Sequence, residues 1–409
     1  MSGRTKAADK VHIDIKHAEE ILASIQRYDY RSWDHYDFWG SSAGVYLRKN
    51  RNLLTMPVIG AAYILDVLLP KIFRSNIKQD ISMETLPSLM KAMLIYKEIT
   101  GDERFEADRA RLLSEMVSRL GRSTNGRGIG HQFDWYTTRL LKAYTPCVTL
   151  SWYLVDYIFY ASLSELPEYR DILRDIGEFV FSDLGRKDME DGTSKIGYTE
   201  FDKRYVVNAN SYGSLILLMT GKLFNRKDHL ELAGRLNRFV LAQQNDDGGW
   251  LYFEKGSVPD EENFIDCFHT AFVIENLMAY SAENDDADTH RAFQKGLDYF
   301  IRTFVRDDGS VKPFAKSHLP LEPVIDTRSA AEAANLLSLA GIRNAELLPV
   351  AEKILGRLKE TMFCESGGYY YHRRYSFALS RMNYIRWGSA PVVAALVNLS
   401  HAKLKRKGG

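Results

Sequence analysis

One structural unit repeats along this chain at intervals of about 60 residues, and this repeat limits the possible folds more than any other feature. Its clearest copy runs through the apolar segment 208–219, the charged segment 226–244 and the glycine loop 244–250. The first segment predicts a buried helix, and the second predicts an amphipathic helix with one wet face. Corresponding buried helices are predicted to begin at Thr85, Thr145, Asn208, Asp266, Asp326 and Arg386.

Six such hairpins predict an all-α fold, the (α/α)6 toroid, in which six helical hairpins form a closed ring. A hairpin cannot bury its apolar helix alone, so neighbouring hairpins must cover it. The sixth inner helix ends near Ser400, and we expect an N-terminal helix at 17–26 or 58–69 to be its outer partner. The predicted organisation is one structural domain. It comprises an N-terminal helical segment (1–80) that packs on and closes the ring, the toroid (81–402) and a basic tail (403–409).

The most apolar run, residues 53–70, has about the length of a membrane span. It contains Asp66 and has a proline near each end. A buried helix of the ring explains the run equally well, and we favour that interpretation. We therefore expect no membrane span.

Composition and charge exclude several classes of partner and site. The formal net charge of +1 predicts no long-range attraction to nucleic acid or anionic membranes. Cys147, Cys267 and Cys364 are far apart and lack metal-site spacing, which favours a reducing compartment. The N-terminal residues lack the apolar core of a secretory signal, so we predict a cytoplasmic protein. No histidine pair has helical ligand spacing, and we expect neither a metal nor a cofactor.

Loop lengths predict where the functional site lies. Connections from an inner to an outer helix are short, such as 221–227, whereas connections from an outer to the next inner helix are long, such as 245–265. All long connections emerge where the inner helices begin, and functional residues often gather on such loops. The candidate catalytic residues at this end are His269, Tyr371, Asn208, Arg386, Asp266 and Asp326. The candidate substrate-binding residues are His131, Asp134, Trp135, Tyr136, Asn210, Tyr212, Trp250, Tyr252, Glu254, Arg328, His372, Arg374 and Trp387.

These residue types are typical of a glycan site. Aromatic rings give a sugar an apolar face to stack on, and fixed polar groups bind its hydroxyls. The arginines match the geometry of carboxylates, which favours an acidic glycan. Structural roles are also open, because Asn208, Asp266 and Asp326 occupy helix N-cap positions. His269 fits a core histidine, and Trp250 fits a packing role.

Segment 235–250, with Gln244, Gly248 and Trp250, resembles the QW repeat of squalene-type cyclases and prenyltransferases. This resemblance implies a toroid. It does not imply isoprenoid chemistry, because the chain has no DxDD cluster. Asp266 and Cys267 are also adjacent, whereas the protein prenyltransferases separate the corresponding zinc ligands by one residue.

The ring with long loops at one end also resembles the six-hairpin glycosidases, the toroidal polyuronate lyases and the C-terminal domain of D-glucuronyl C5-epimerase. The segment 382–388 resembles the C-terminal motif of bacterial proteins encoded with polysaccharide-biosynthesis genes. These resemblances imply a carbohydrate-active enzyme of polysaccharide biosynthesis or modification, with an oligosaccharide or polysaccharide as its partner. They do not fix the sugar, the linkage or the oligomeric state.

Our first hypothesis for the reaction is abstraction of the C5 proton of a uronate. Arg386, Arg374 or Asn208 would neutralise the carboxylate, and Tyr371 or His269 would remove the proton. Loss of the C4 substituent gives a lyase, and reprotonation from the opposite face gives an epimerase. The toroidal lyases are similar in using Asn, His, Tyr and Arg together.

Two alternatives remain open. In the second hypothesis, two carboxylates from Asp134, Glu254, Asp266 and Asp326 flank a glycosidic bond, and the protein is a glycoside hydrolase. In the third, the ring is a non-catalytic protein for glycan binding or assembly.

Overall fold

The computed structural model describes residues 2–136, 139–163, 167–202, 204–317, 319 and 321–408, with side chains from residue 14 to residue 406. In chain order the α-helices are α1 (Ser2–Arg27), α2 (Asp37–Gly40), α3 (Ser42–Lys49), α4 (Thr55–Leu68), α5 (Pro70–Arg74), α6 (Leu86–Thr100), α7 (Glu106–Ser118), α8 (Val148–Tyr160), α9 (Arg170–Glu178), α10 (Val207–Phe224), α11 (Lys227–Ala242), α12 (Cys267–Asn284), α13 (Ala287–Phe304), α14 (Thr327–Gly341), α15 (Leu347–Met362) and α16 (Ser389–Gly408). A 3₁₀ turn (Pro167–Tyr169) precedes α9, and a π-helical turn (Phe179–Asp183) follows it.

Short strands pair two by two in the connections. They are β1 (Arg31–Ser32), β2 (Asp80–Ile81), β3 (Gly121–Arg122), β4 (Arg127–Gly128), β5 (Trp135–Tyr136), β6 (Leu140–Leu141), β7 (Lys187–Asp188), β8 (Ser194–Lys195), β9 (Ile265–Asp266), β10 (Phe314–Lys316), β11 (Ile325–Asp326), β12 (Phe363–Cys364), β13 (Tyr369–Tyr370) and β14 (Arg373–Arg374). All the pairs are antiparallel, and they join β1 to β2, β3 to β4, β5 to β6, β7 to β8, β9 to β10, β11 to β14 and β12 to β13.

The ring is the predicted (α/α)6 toroid. Its inner helices are α6, α8, α10, α12, α14 and α16; each contacts the next, and α16 contacts α6 to close the circle. Each inner helix begins at most about three residues from its predicted start. The inner helices are rich in small and apolar residues, and each is buried because its two neighbours in the ring cover its sides.

The outer partner of α16 is α1. Helix α1 packs along α16, and its Ser24 hydroxyl donates to the carbonyl of Gly367 at 2.8 Å. Lys403 of α16 donates to Asp14 of α1 at 2.7 Å. Of the two segments expected to complete the ring, 17–26 therefore takes this position. The predicted basic tail continues α16 to Gly408.

The glycine and tryptophan loop joins neighbouring hairpins. Trp250 is 2% exposed, and its indole Nε1 donates to the carbonyl of Val240 at 3.0 Å. Gln244 donates to the carbonyls of Gly248 and Ala292, at 3.0 and 2.9 Å. A Cβ at Gly296 of α13 would lie 2.7 Å from the Trp250 ring, so only glycine allows this contact. Trp250 therefore has a packing role, which the sequence left open beside substrate binding.

Residues 33–78 form a layer, here called the cap, over the end of the ring where the inner helices begin. Arg48 of the cap donates to the backbone carbonyl of Tyr136 at 3.3 Å. The ring of His35 packs against that of His372, with 5.1 Å between centroids. Trp33 donates to the carbonyl of Ile77 at 2.7 Å and ties the two ends of the cap together.

The prediction that the run 53–70 is a helix buried in the ring is wrong. The run forms α4 on the outside of the cap, and only Ile59, Ala62 and Asp66 of that helix are buried. Ile59 and Ala62 pack with Trp39 in a small apolar cluster separate from the main core. Since α1 closes the ring, α4 has no place within it. Among the described residues, no helix is long and apolar enough to cross a membrane.

Candidate active site

A cavity of about 300 Å³ follows the axis of the ring. All six inner helices contribute to its wall, which combines aromatic rings, ionisable groups and amides. The aromatic residues are Trp152, Tyr153, Tyr212 and Phe272; the ionisable residues are Glu84, Lys91, Asp156, Glu275, Arg328 and Glu332; the amides are Asn276, Asn335 and Asn398. This combination of flat apolar surfaces and convergent polar groups is typical of a small-molecule site.

The cavity opens where the inner helices end, opposite the long connections. At the helix starts, the side chains of Glu84 and Arg328 are 8% and 4% exposed. Further along the axis, those of Lys91 and Asp156 are 27% and 35% exposed. The sequence predicted the functional site at the other end, but the cap covers that end. Access from solvent is therefore through the mouth on the side of the short connections.

A network of paired charges forms the floor of the cavity. We call Asp34, Glu84, Arg328 and Arg386 the floor network. One oxygen of Glu84 lies 2.5 Å from Arg328, and the other accepts a hydrogen bond from Arg386. Arg386 also donates to Asp34 of the cap at 3.1 Å. Burial opposes ionisation of Glu84, but the two guanidinium groups outweigh it and hold the pKa of this carboxyl well below its usual range.

Two further glutamates in the wall have pKa values above the ordinary range of a carboxyl group. Burial, opposed by Arg328 and reinforced by the charge of Glu84, raises the pKa of Glu332 to about 7. Burial, and then the charge of Glu332, raises the pKa of Glu275 well above its ordinary value. The Asn335 amide donates to Glu275 at 3.0 Å.

An ion pair and a tyrosine pair complete the wall. The ammonium group of Lys91 donates to both oxygens of Asp156, at 2.9 and 2.8 Å. The charges of Lys91 and Asp156 both act on Glu275, which places the ion pair near this carboxyl group. The hydroxyls of Tyr153 and Tyr212 lie 3.3 Å apart. The wall thus presents a proton donor, a carboxylate and aromatic surfaces to one space.

Several residues predicted at the long-connection end are buried beneath the cap. Arg386 and Trp387 contact each other, with the guanidinium carbon 4.5 Å from the ring centroid. Burial, together with the charge of Arg386, lowers the pKa of His131 to about 4. Burial, together with nearby arginines, also lowers the pKa of His372 well below its usual value. Both imidazoles are therefore neutral near pH 7. Arg328 is the one member of this group that also lines the axial cavity.

Another group of predicted residues meets in a small cavity of about 10 Å³ at the starts of α10 and α12. Asp266 caps α12 through the backbone N–H of His269 at 3.0 Å and lies 2.7 Å from its Nδ1 atom. The His269 ring contacts that of Tyr252, with 4.6 Å between centroids. Asn208 and Trp250 also line this cavity. The sequence correctly predicted that these residues would converge, but the space holds about one water molecule and not a sugar.

Three other predicted residues hold loops in place. Asp326 caps α14 and accepts a hydrogen bond from Arg373 at 2.6 Å. Asn210 bonds to the backbone of the connection that precedes α10. Glu254 forms an ion pair with Lys195. Their side chains are occupied by these contacts and lie outside the axial cavity.

The remaining predicted residues are also outside the cavity. Tyr371, Arg374 and Asp134 lie in the long connections, and Trp135 and Tyr136 form strand β5 beneath the cap. Hydrogen bonding to a neighbouring thiol raises the pKa of Tyr371, which opposes its use as a base. Tyr212 and Arg328 are the predicted residues that line the axial cavity.

Sequence reasoning missed most of the cavity wall, although a signal for it exists. Asp156, Glu275 and Asn335 each occupy the third turn of an inner helix. A polar side chain at the same depth in three otherwise apolar helices marks a shared inward face. Among the described residues, no group of three or more His, Cys, Asp or Glu side chains is arranged to hold a metal ion.

No protein-family model and no curated protein sequence matches this chain. Solved structures with the same fold include the cellobiose 2-epimerase from Bacillus thermoamylovorans B4167, with a TM-score of 0.58 and 10% identity over 79% of this chain and 88% of that one. The GH76A alpha-1,6-mannanase from Salegentibacter sp. HEL1_6 has a TM-score of 0.57 and 10% identity over 81% and 91%.

The unsaturated glucuronyl hydrolase from Bacillus sp. GL1 has a TM-score of 0.54 and 15% identity over 79% of this chain and 88% of that one. At these identities the likeness establishes the architecture alone. The chain shares the (α/α)6 toroid of these three solved structures.

Proposed function

We propose that this protein is a carbohydrate-active enzyme that cleaves a glycosidic bond by acid and base catalysis in the axial cavity. The observation that carries this proposal is that Glu275 and Glu332, whose pKa values burial raises, line the same cavity as the ion-paired carboxylate of Asp156. Glycoside hydrolysis needs one carboxylic acid and one carboxylate on the two sides of the bond. In such enzymes, the local environment usually determines which carboxyl group is the acid and which is the base, because it shifts their pKa values apart.

The Glu275 and Glu332 pair is suited to be the general acid. A carboxyl group with a pKa near 7 is protonated in part at neutral pH and gives up its proton readily. In the proposed step, this proton moves to the glycosidic oxygen while the bond from that oxygen to the anomeric carbon breaks. Asp156 takes a proton from the attacking water, and its contact with Lys91 orients the carboxylate.

The wall of the cavity supports a sugar as the ligand. Trp152 and Phe272 provide flat apolar surfaces for a sugar ring, and Asn276 and Asn398 provide hydrogen-bonding groups. The structural neighbours include enzymes named for cellobiose, for unsaturated glucuronyl groups and for alpha-1,6-mannan. Lys91 and Arg328 provide cations for an acidic glycan, which keeps a uronate within the proposal.

Proton abstraction at C5 has less support. His269 and Tyr371, the bases suggested from the sequence, lie outside the axial cavity. Burial raises the pKa of both Tyr153 and Tyr212, which are inside it, so their hydroxyls are poor bases near pH 7. The carboxyl groups of the cavity are therefore better suited to acid and base catalysis than its tyrosines.

The test is a panel of neutral and uronate-containing oligosaccharides, assayed for new reducing ends, unsaturated products and uptake of solvent deuterium. We expect new reducing ends with neither of the other signals. Replacing Glu332 with Gln should then lower kcat by about 10²- to 10⁴-fold.

The matched control is Glu231→Gln on the exposed face of α11, which should leave the rate unchanged. Unsaturated products or deuterium uptake would replace hydrolysis with the C5 reaction. Glycan binding without turnover across the panel would support the non-catalytic alternative instead.

A further inference from the structure

The outer face of the cap is apolar. Leu53 is 93% exposed, Leu54 is 85% exposed and Ile72 is 65% exposed. The other large apolar side chains exposed on this segment are Met56, Val58, Tyr63, Ile64, Leu65, Leu68 and Leu69. Contiguous apolar surface of this extent, on a protein that buries its other apolar helices in a core, marks an interaction site.

The charges around this face have one sign. Lys49, Arg51, Lys71 and Lys78 are exposed on both sides of the apolar run. The acidic residue of segment 42–79 is Asp66, which is buried and paired with Arg74. The apolar face therefore has a cationic border with no exposed carboxylate in that segment. This local pattern differs from the near-neutral charge of the whole chain, +1.

The cap holds this face ready on the folded protein. Ile59 and Ala62 fix the inner side of α4 to Trp39. The guanidinium group of Arg74 donates to the Asp66 carboxylate and to the carbonyls of Asp34 and His35, at 3.1 and 3.0 Å for the carbonyls. These contacts fix the inner side of α4 to the cap. The apolar residues on its other side therefore remain exposed to solvent.

The dimensions of α4 favour a helix that lies on a bilayer. Its 14 residues extend about 21 Å, whereas the hydrocarbon core of a bilayer is about 30 Å thick. A short apolar helix with cations at its borders has the pattern of interfacial helices that bind anionic lipid headgroups. A symmetric contact with a second copy would instead bring the cationic borders of both copies together.

We propose that the cap docks this protein on the surface of an anionic membrane. The exposed side chains of segment 53–72 enter the boundary between headgroups and acyl chains, and the cations at its borders contact lipid phosphates. Since the cap covers the end where the inner helices begin, docking leaves the mouth of the axial cavity facing water. If the cavity binds a glycan as proposed above, this orientation leaves it open to glycans on the side away from the bilayer.

The experiment is flotation of the full chain with vesicles of phosphatidylcholine alone or with phosphatidylglycerol added. We expect binding to the anionic vesicles and a loss of binding as salt is raised. The variant Leu53→Ser, Leu54→Ser, Ile72→Ser should bind at least about tenfold more weakly, because it loses three exposed apolar side chains. The variant Lys49→Glu, Arg51→Glu, Lys71→Glu should lose the preference for anionic lipid.

The matched control is Leu321→Ser, Val324→Ser, Phe377→Ser, which removes exposed apolar residues from another surface and should bind as the parent does. Equal binding by the control and the cap variants would overturn the proposal. So would failure of the parent to float with anionic vesicles. If the parent forms a dimer in sedimentation that the Leu53 variant abolishes, the face is an interface between copies, and the membrane proposal is wrong.

Discussion

The two ends of the ring axis contain the same kinds of side chain and use them differently. At the capped end, the floor network buries carboxylates and guanidinium groups in mutual contact. At the open end, burial raises the pKa values of Glu275 and Glu332, and the Lys91 and Asp156 pair is partly exposed. The charged groups at the capped end stabilise the fold because each is paired with an opposite charge. Among the described residues, Glu275 and Glu332 at the open end lack such close ion pairs and are able to exchange protons.

Glu84 and Glu332 show this difference for one residue type beside one arginine. Glu84 contacts two guanidinium groups, and its pKa falls despite burial. Glu332 lies 3.6 Å from Arg328, and burial raises its pKa to about 7. Glu84 lies closer to Arg328, at 2.5 Å, and it also contacts the second guanidinium group of Arg386. The distance and number of the cationic partners therefore distinguish the two buried glutamates.

The largest expected effect is at the capped end. Replacing Arg386 with Ala leaves Asp34 and Glu84 buried with fewer partners, and we expect a loss of about 3–5 kcal/mol in the free energy of unfolding. Urea denaturation followed by circular dichroism measures this loss. Arg374→Ala is the matched control, because Arg374 is exposed, and its effect should be below about 0.5 kcal/mol. Equal effects of the two substitutions would contradict a structural role for the floor network.

An intermediate effect is expected from Glu332. Its pKa of about 7 in the folded protein exceeds the ordinary value of 4.5, so the folded state binds more protons between those values. The contribution of Glu332 to stability is therefore complete at low pH and is lost as pH rises to about 7. Glu332→Gln removes the titrating group. The difference in unfolding free energy between parent and variant should therefore change by about 1–3 kcal/mol between about pH 4.5 and pH 7.5. Denaturation at pH 4.5, 6 and 7.5 measures it, and a constant difference would refute the assigned pKa.

The smallest effect is expected from the partly exposed ion pair at the mouth. Lys91→Met removes the partner of Asp156, and we expect a loss of at most about 1 kcal/mol in unfolding free energy, since solvent screens the pair. The same variant should lower the glycan turnover rate, because Asp156 loses the contact that orients it. If Lys91→Met lost as much stability as Arg386→Ala, the ion pairs at the two ends of the axis would contribute equally to folding, which would contradict the account.

The ring was predictable because its period and its apolar inner helices are local features of the sequence. The starts of α10 and α12 were placed to about one residue from this pattern alone. The sequence left two roles open for Trp250, substrate binding and packing, and the glycines around it favoured packing because they allow close contact between backbone and ring.

The cap and the site were not predictable in the same way. The apolar sequence of α4 suggested that this helix is buried in the ring. The position of the outer helix beside α16 is occupied by α1, however, so α4 lies outside the ring. Long connections suggested a functional site at the end where the inner helices begin, but the cap covers that end. The glutamates of the cavity looked like ordinary inner-helix residues, since the contact between Arg328 and Glu84 joins side chains distant in sequence.

The most direct test of the central claim is a crystal structure of the Glu332→Gln protein with the oligosaccharide that the parent cleaves fastest. We predict a sugar in the axial cavity, with a ring against Trp152 and the glycosidic oxygen within hydrogen-bonding distance of residue 332 or Glu275. A sugar bound beneath the cap, beside His131 or His269, would contradict the assignment of the open end as the active site.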